Sequence, residues 1–384
     1  MSRSSTLHSD LVVLGGGIIG LSVAWRALSR GLQVTVVERE RPGAGSTHVA
    51  AGMLAPVSEA AFGEEDLLRL NRESARRYPA WIEELREASG RDPGYRACGT
   101  LLLARDGDQA EALEREAAYR EALDLPARRL RPSEARRLEP ALAPALRAAL
   151  EVPDDHAVDP RALAATLAMA IERAGGRLIA GVAARELLRD RGRVTGIALA
   201  GGRRVAAERL VVSAGCWSAS LAGLAEDERM PVRPVKGQLL RLRDPAGPGL
   251  LDRVVRTEDA YIVARGDGRY VLGATVEERG WDTSVTAGAI HELLREATAV
   301  VPGIAELEVE ESLAGLRPGM PDNAPALGPG IGPVGLHWAT GHHRHGVLLA
   351  PVTADLVVSA LLEEPLPAFA APFSPARFAV GVAA

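Results

Sequence analysis

Gly15-Gly16-Gly17-Ile18-Ile19-Gly20 stands between an apolar run, Leu11-Val12-Val13-Leu14, and apolar residues at helical spacing, Leu21, Val23, Ala24, Ala27 and Leu28. A second apolar run, Gln33–Val37, follows and ends at Glu38. In a strand–turn–helix–strand unit these residue types have distinct tasks. Gly15 permits the tight turn off the strand, Gly17 lets the backbone approach a pyrophosphate, and Gly20 lets the helix close onto the strand. The unpaired N–H groups and the positive dipole end of the helix then face the phosphates. Glu38, about 20 residues on, is placed to accept ribose hydroxyls. A glycine loop that only packs helix on strand explains the glycines but not an acid at that spacing. The carboxylate favours an unphosphorylated ribose, which argues against NADP and leaves FAD and NAD open.

A histidine cluster, His342, His343 and His345, invites a metal reading. It is rejected because no Asp, Glu or Cys lies at ligand spacing within the run. Asp155, His156 and Asp159 read as a turn and a helix cap. The two cysteines, Cys98 and Cys216, are too few and too distant for a disulfide framework and fit a reducing cytoplasm.

Elements must bring these residues together. Leu11–Leu14 reads as a buried parallel strand. Helical patterns run over 64–89, 108–125, 161–174 (opened by Pro160), 290–300 and 348–362. Leu210–Ala214 is a further buried strand ending at Gly215. From 231 to 313 short strands alternate with turn residues, and Tyr261 falls in one of them, Ala260–Ala264. Nucleotide-type pieces therefore occur at both ends and in the middle, with antiparallel pieces between. The fold expected is α/β: a Rossmann-type domain from 1–85, 150–225 and 320–384. It is interleaved with an α+β substrate domain on a mostly antiparallel sheet, from 86–149 and 226–319.

Length agrees with two domains, at 384 residues. Composition is that of an ordinary globular chain, 47% hydrophobic and 25% charged. The net charge of −5 has both signs interspersed, which argues against a nucleic-acid face. Of 45 basic residues only Lys236 is lysine, which reads as codon bias rather than chemistry. Residues 1–10 hold no apolar signal core, and Leu11–Leu14 is far too short to span a bilayer, so a cytoplasmic protein without membrane attachment is expected. The segment 370–384 reads as a surface end.

Several segments carry a resemblance. Ser46-Thr47-His48-Val49-Ala50-Ala51-Gly52-Met53-Leu54 and Pro234-Val235-Lys236-Gly237-Gln238 resemble segments of the D-amino-acid oxidase family of FAD-dependent oxidoreductases. Ala314-Gly315-Leu316-Arg317-Pro318-Gly319 and Gly341-His342-His343-Arg344-His345-Gly346-Val347-Leu348-Leu349-Ala350-Pro351 are more specific. They resemble its glycine oxidase branch, the thiamine-biosynthesis type. The motifs follow in family order over nearly the whole chain.

The resemblance implies noncovalent FAD. Val49 stands where relatives with a covalent link carry the histidine, and no cysteine follows Cys216. Ile18 and Ile19 would lie at the pyrophosphate and Glu38 and Arg39 at the adenosine ribose. Ala184 would meet the adenine. Ser46, Thr47, Ala51, Gly52 and Met53 would line the flavin, and His342 to Leu348 would wrap its ring. Arg317 would bind the substrate carboxylate, bidentately as a guanidinium can. Tyr261 would assist, with Arg344 as a further substrate or flavin contact.

The implied reaction is oxidation of glycine, and of sarcosine or small D-amino acids, to the imine and glyoxylate. The α-hydrogen leaves as hydride, and O2 is reduced to hydrogen peroxide. The resemblance further implies a homo-oligomer, a tetramer, and delivery of dehydroglycine to thiazole synthase. Val276 and Asp259 depart from the pocket pattern, so larger N-substituted glycines also come into view. The competing readings are an amine dehydrogenase that passes electrons to another acceptor, and a flavin-binding scaffold without turnover.

Overall fold

The computed structural model describes residues 6–379. A six-stranded sheet has the order Arg177–Ile179, Val34–Val37, Leu11–Leu14, Arg209–Val212, Leu336–Thr340, Ala326–Pro329. Its first five strands are parallel, and only Ala326–Pro329 runs antiparallel to its neighbour. A parallel sheet needs both faces covered, and Leu11–Leu14 and Val34–Val37 are buried at every residue. Helices Ile18–Ser29, Glu65–Ser89, Pro160–Arg173 and Ala350–Leu361 share one apolar core with one side of this sheet. A small sheet that includes Ala184–Asp190, Arg193–Leu199 and Arg204–Ala206 shares the core on the other side.

An eight-stranded sheet has the order Glu308–Gly319, Arg233–Arg243, Arg269–Gly273, Tyr261–Ala264, Val254–Arg256, Thr100–Ala104, Ala148–Val152, Arg128–Leu130. Every neighbouring pair is antiparallel except Val254–Arg256 with Thr100–Ala104. Helix Ala287–Val300, N-capped by the Thr286 hydroxyl, shares the apolar core of one face. On the other face Leu239, Val254, Val263 and Val271 meet Ala51 and Ala157, so the loop 46–54 lies against this sheet. The six-stranded sheet draws on three separate stretches of chain, and the eight-stranded sheet on two. The chain therefore passes back and forth between the two sheets, and the space between them can be lined from both.

Two expectations change. The strand carrying Arg317 runs unbroken over Glu308–Gly319, well beyond the alternation read to 313. It pairs along its length with Arg233–Arg243. The end of the chain is not all surface. Short 3-10 turns at Ala368–Phe373 and Pro375–Phe378 bury Phe373 in the helical core, with Phe369 packed beside it and Phe378 against the core on the other side of the sheet. Residues 380–384 lie outside the described part.

Candidate active site

One cavity of about 660 Å3 reaches from the glycine-rich turn to Arg317. At the turn, Gly15 has φ +106°, and a Cβ there would sit 2.4 Å from the Ser213 carbonyl oxygen. Gly17 is the N-cap of helix Ile18–Ser29 and carries no capping side chain, and Ile18 and Ile19 at the helix start line the cavity. Thr47 Oγ1 accepts the Ile18 N–H at 2.9 Å. Glu38 accepts the N–H groups of Gly16 at 2.7 Å and Glu40 at 2.8 Å, which fixes its carboxylate at the end of its strand. The Arg39 guanidinium lies 4.0 Å over the Trp217 ring, and both line the cavity.

Gly15, Gly17, Ile18, Ile19, Glu38, Arg39 and Ala184 all line this end. Gly20 does not. Any Cβ there would fall 1.9 Å from the Gly15 carbonyl oxygen, so Gly20 serves helix–strand packing and is not a contact residue.

Ser46, Thr47, Ala51, Gly52 and Met53 line the middle. Three arginines hold this loop by its carbonyls. Arg265 donates to Ala51 O at 2.6 Å and to Val158 O at 2.8 Å. Arg161 and Arg241 both donate to His48 O, at 3.0 and 3.1 Å. Arg161 also forms a two-point ion pair with Glu311, at 2.6 and 2.9 Å. Burial brings Arg265 down to about 10, still charged at neutral pH. The His48 ring instead meets Arg41 at 2.9 Å and does not line the cavity.

At the far end Arg317 projects from its strand. Its Nη1 donates to Thr275 O at 3.0 Å and to Lys236 O at 3.3 Å. No carboxylate within ion-pair distance of it occurs among the described residues. Two glycines on neighbouring strands make room: a Cβ on Gly237 would lie 2.4 Å from Arg317 Nη1, and one on Gly273 2.6 Å from the Tyr261 hydroxyl. Burial raises the Tyr261 pKa against the opposing field of Arg317, so the phenol keeps its proton and can donate.

Residues His342 to Leu348 all line the cavity. Burial lowers His342 to about 3 and both His343 and His345 to about 4, so all three rings are neutral near pH 7. His342 Nε2 bonds the Thr353 hydroxyl at 3.0 Å. Both ring nitrogens of His343 are buried without a partner.

Glu59 was not singled out from the sequence. Its carboxylate lies 3.4 Å from Arg344 Nε, 3.6 Å from His345 Nδ1 and 3.7 Å from Arg256 Nη2. Burial alone would raise its pKa, but Arg256, His345, Arg344 and Arg317 outweigh that and hold it ionised. The signal available was modest: Glu59 is the sole charged residue between His48 and Glu64. Asp155 is more than a turn residue. It accepts the N–H groups of Val57 at 3.0 Å and Ser58 at 2.7 Å and so fixes the segment that presents Glu59. Asp159 caps helix Pro160–Arg173, as its place before Pro160 suggests.

This geometry fits a dinucleotide with a ring at its far end. The helix start at Gly17, the Gly17 face without a Cβ, the fixed carboxylate of Glu38 and residues 342–348 all line one continuous cavity. The chain belongs to the family of FAD-dependent oxidoreductases known as DAO, whose family model matches residues 10–360, and FAD is its cofactor.

Within that family it is 36% identical to a bifunctional ThiO/ThiG protein of Trichormus variabilis over 92% of its own length. It spans only 53% of that relative. The solved structure of glycine oxidase from Geobacillus kaustophilus superposes with a TM-score of 0.90 at 34% identity, over 97% of this chain and 99% of the other. That of iminodiacetate oxidase from a Chelativorans species superposes with a TM-score of 0.85 at 32% identity, over 95% and 98%. No described helix is long and apolar enough to cross a membrane.

Proposed function

We propose that the protein oxidises the amine of glycine, with sarcosine and small D-amino acids as further substrates. The observation that carries this reading is one cavity with a dinucleotide turn at one end and, at the other, a guanidinium with no acidic partner among the described residues. The net reaction takes glycine, water and O2 to glyoxylate, ammonia and hydrogen peroxide. Bound FAD supplies the two-electron acceptor.

The protein's share is positioning. Arg317 clamps the substrate carboxylate with its free Nε and Nη2 edge. Protonated Tyr261 adds one directional bond. The neutral histidines leave the positive charge of the site to arginine. No protein base is required if the amine enters unprotonated. Gly15, Gly17, Ile18, Ile19, Glu38, Arg39, Ser46, Thr47, Ala51, Gly52, Met53, Ala184 and residues 342–348 hold the cofactor, and the division into an FAD-binding and a substrate-binding domain belongs to this reading. Noncovalent attachment is supported by His48 facing Arg41.

A larger N-substituted glycine is the second reading, favoured by Val276, which lines the cavity yet is 71% exposed and leaves the site open. The ThiO/ThiG relative supports delivery of dehydroglycine to a thiazole synthase. A homo-oligomer, a tetramer, and a cytoplasmic location complete the reading. Purified yellow protein should release peroxide in air with glycine, sarcosine, D-alanine or D-proline. Bleaching by these amines without air, and no peroxide in air, would instead indicate a dehydrogenase. A flavin that none of them bleaches would indicate a scaffold without turnover.

A further inference from the structure

Lys236 is the sole lysine of the chain, and its side chain is only 1% exposed. An ammonium so deep must be paired. Its Nζ donates to Asp282 Oδ2 at 2.6 Å and reaches the Ser284 hydroxyl at 3.5 Å. That hydrogen bond first, and the Ser284 N–H after it, hold the Asp282 carboxyl well below the usual carboxylate range. Asp282 belongs to residues 274–286, which join strand Arg269–Gly273 to helix Ala287–Val300. Lys236, read from composition as codon bias, is thus a latch on this connection.

The connection is tied at both ends. The backbones of Lys236 and Glu277 exchange hydrogen bonds in both directions, at 2.9 and 3.0 Å. Gln238 Nε2 donates to Glu277 Oε1 at 2.7 Å, and Gln238 Oε1 accepts the Thr286 N–H at 2.7 Å. Between these ties stands Trp281, which is 52% exposed and whose ring lies 5.2 Å from that of Trp217. Trp217 sits on the 3-10 turn Gly215–Ser220, just after strand Arg209–Val212 of the six-stranded sheet. It lines the cavity and carries the Arg39 guanidinium at 4.0 Å. A connection rooted in the eight-stranded sheet therefore reaches the other sheet, at the end of the cavity that Glu38 and Arg39 line.

We propose that residues 274–286 are a strap that retains the adenosine end of FAD, with Trp281 on Trp217 as its clasp and Lys236–Asp282 as its latch. Neither Trp281 nor Lys236 lines the cavity; both act through Trp217, which does, so they are positioning residues. Arg39 over Trp217 is a cation–π pair. With Trp281 against it, the Trp217 ring cannot swing away from Arg39 without also breaking an aromatic contact. The inference needs FAD as the cofactor and does not depend on which amine is oxidised.

The test follows FAD release after dilution of the holoenzyme, read as flavin left on the protein at intervals. Trp281→Ala should release FAD roughly threefold to tenfold faster than wild type, the scale of one aromatic pair. Trp281→Phe should restore most of the retention. Lys236→Met puts an apolar chain in place of the buried ammonium and leaves Asp282, already 44% exposed, to water. It should speed release to a similar extent. The double variant should be no faster than the faster single one, because both changes act through one strap. Trp281 is half-exposed in a loop, so its truncation leaves the fold intact and keeps the test decisive even if Lys236→Met fails to fold. Wild-type release in Trp281→Ala would overturn the strap, and so would rate factors that multiply in the double variant. A Trp281→Ala protein that keeps its FAD but loses a contact between subunits would assign the ring to an interface instead. Turnover is never read, so failure of the amine-oxidase reading leaves these outcomes unchanged.

Discussion

Arg317 is held on one edge and free on the other. Two carbonyls fix Nη1, and the absence of a Cβ at Gly237 leaves space for the guanidinium to lie flat against its neighbour strand. A guanidinium so placed binds a carboxylate at two points with little further ordering. Arg317→Ala should keep FAD and weaken glycine binding by roughly 2–5 kcal/mol, the cost of removing one partner of a desolvated charge pair. The check is a titration of the flavin spectrum with a carboxylate inhibitor, and wild-type affinity in the variant would remove Arg317 from the clamp. Arg317 and Tyr261 were legible through the segments around them. Glu59 and Arg256 were not. An isolated acid in a small-residue stretch and one arginine among many carry no local pattern, and their meeting depends on Asp155 bracing a loop nearly 100 positions away.

At the scale of elements, the opening strand–turn–helix could be read because each glycine answers a local constraint. The structure separates two kinds. A Cβ on Gly17 meets nothing closer than Thr47 Oγ1 at 3.3 Å, whereas one on Gly20 would overlap the Gly15 carbonyl. Gly17→Val should therefore fold with a cost of about 1 kcal/mol or less, that of a poor N-cap, yet purify colourless. Gly20→Val should lose stability by about 1–3 kcal/mol or more from overpacking. Thermal melts and the flavin absorbance of the two proteins check this. Equal stability with equal FAD content would refute the distinction. The long strand Glu308–Gly319 was harder to read, since its first half is charged and half-exposed and shows no clean alternation.

For the whole molecule, the site exists only because two sheets face each other. Their pairing is set by strand register and by contacts such as Arg161 with Glu311 and His48, which link helix Pro160–Arg173, the Arg317 strand and the flavin loop. No window of sequence contains that geometry; it is non-local. Burial of three histidine rings at 342–345 should make the fold acid-sensitive.

His342, His343 and His345 titrate at about 3, 4 and 4 when folded, against 6.5 ordinarily. The unfolded chain binds more protons across that window, so stability rises with pH there and is lost as pH falls from about 6.5 toward about 4. Asp155, pushed by burial up to about 6 from 3.8, acts in the opposite sense between those values, as one group against three. The holoenzyme should melt at progressively lower temperature below pH 6.5, and His342→Gln should flatten the slope. An unchanged slope would mean the ring of residue 342 is not buried neutral.

The most direct measurement is a crystal structure of the FAD-loaded protein with glycolate, which carries one carboxylate and no amine to oxidise. The carboxylate should sit on the Nε and Nη2 edge of Arg317, with the Tyr261 hydroxyl beside it. Glycolate bound elsewhere while residue 317 stays unliganded, or flavin density outside the cavity that residue lines, would contradict the account.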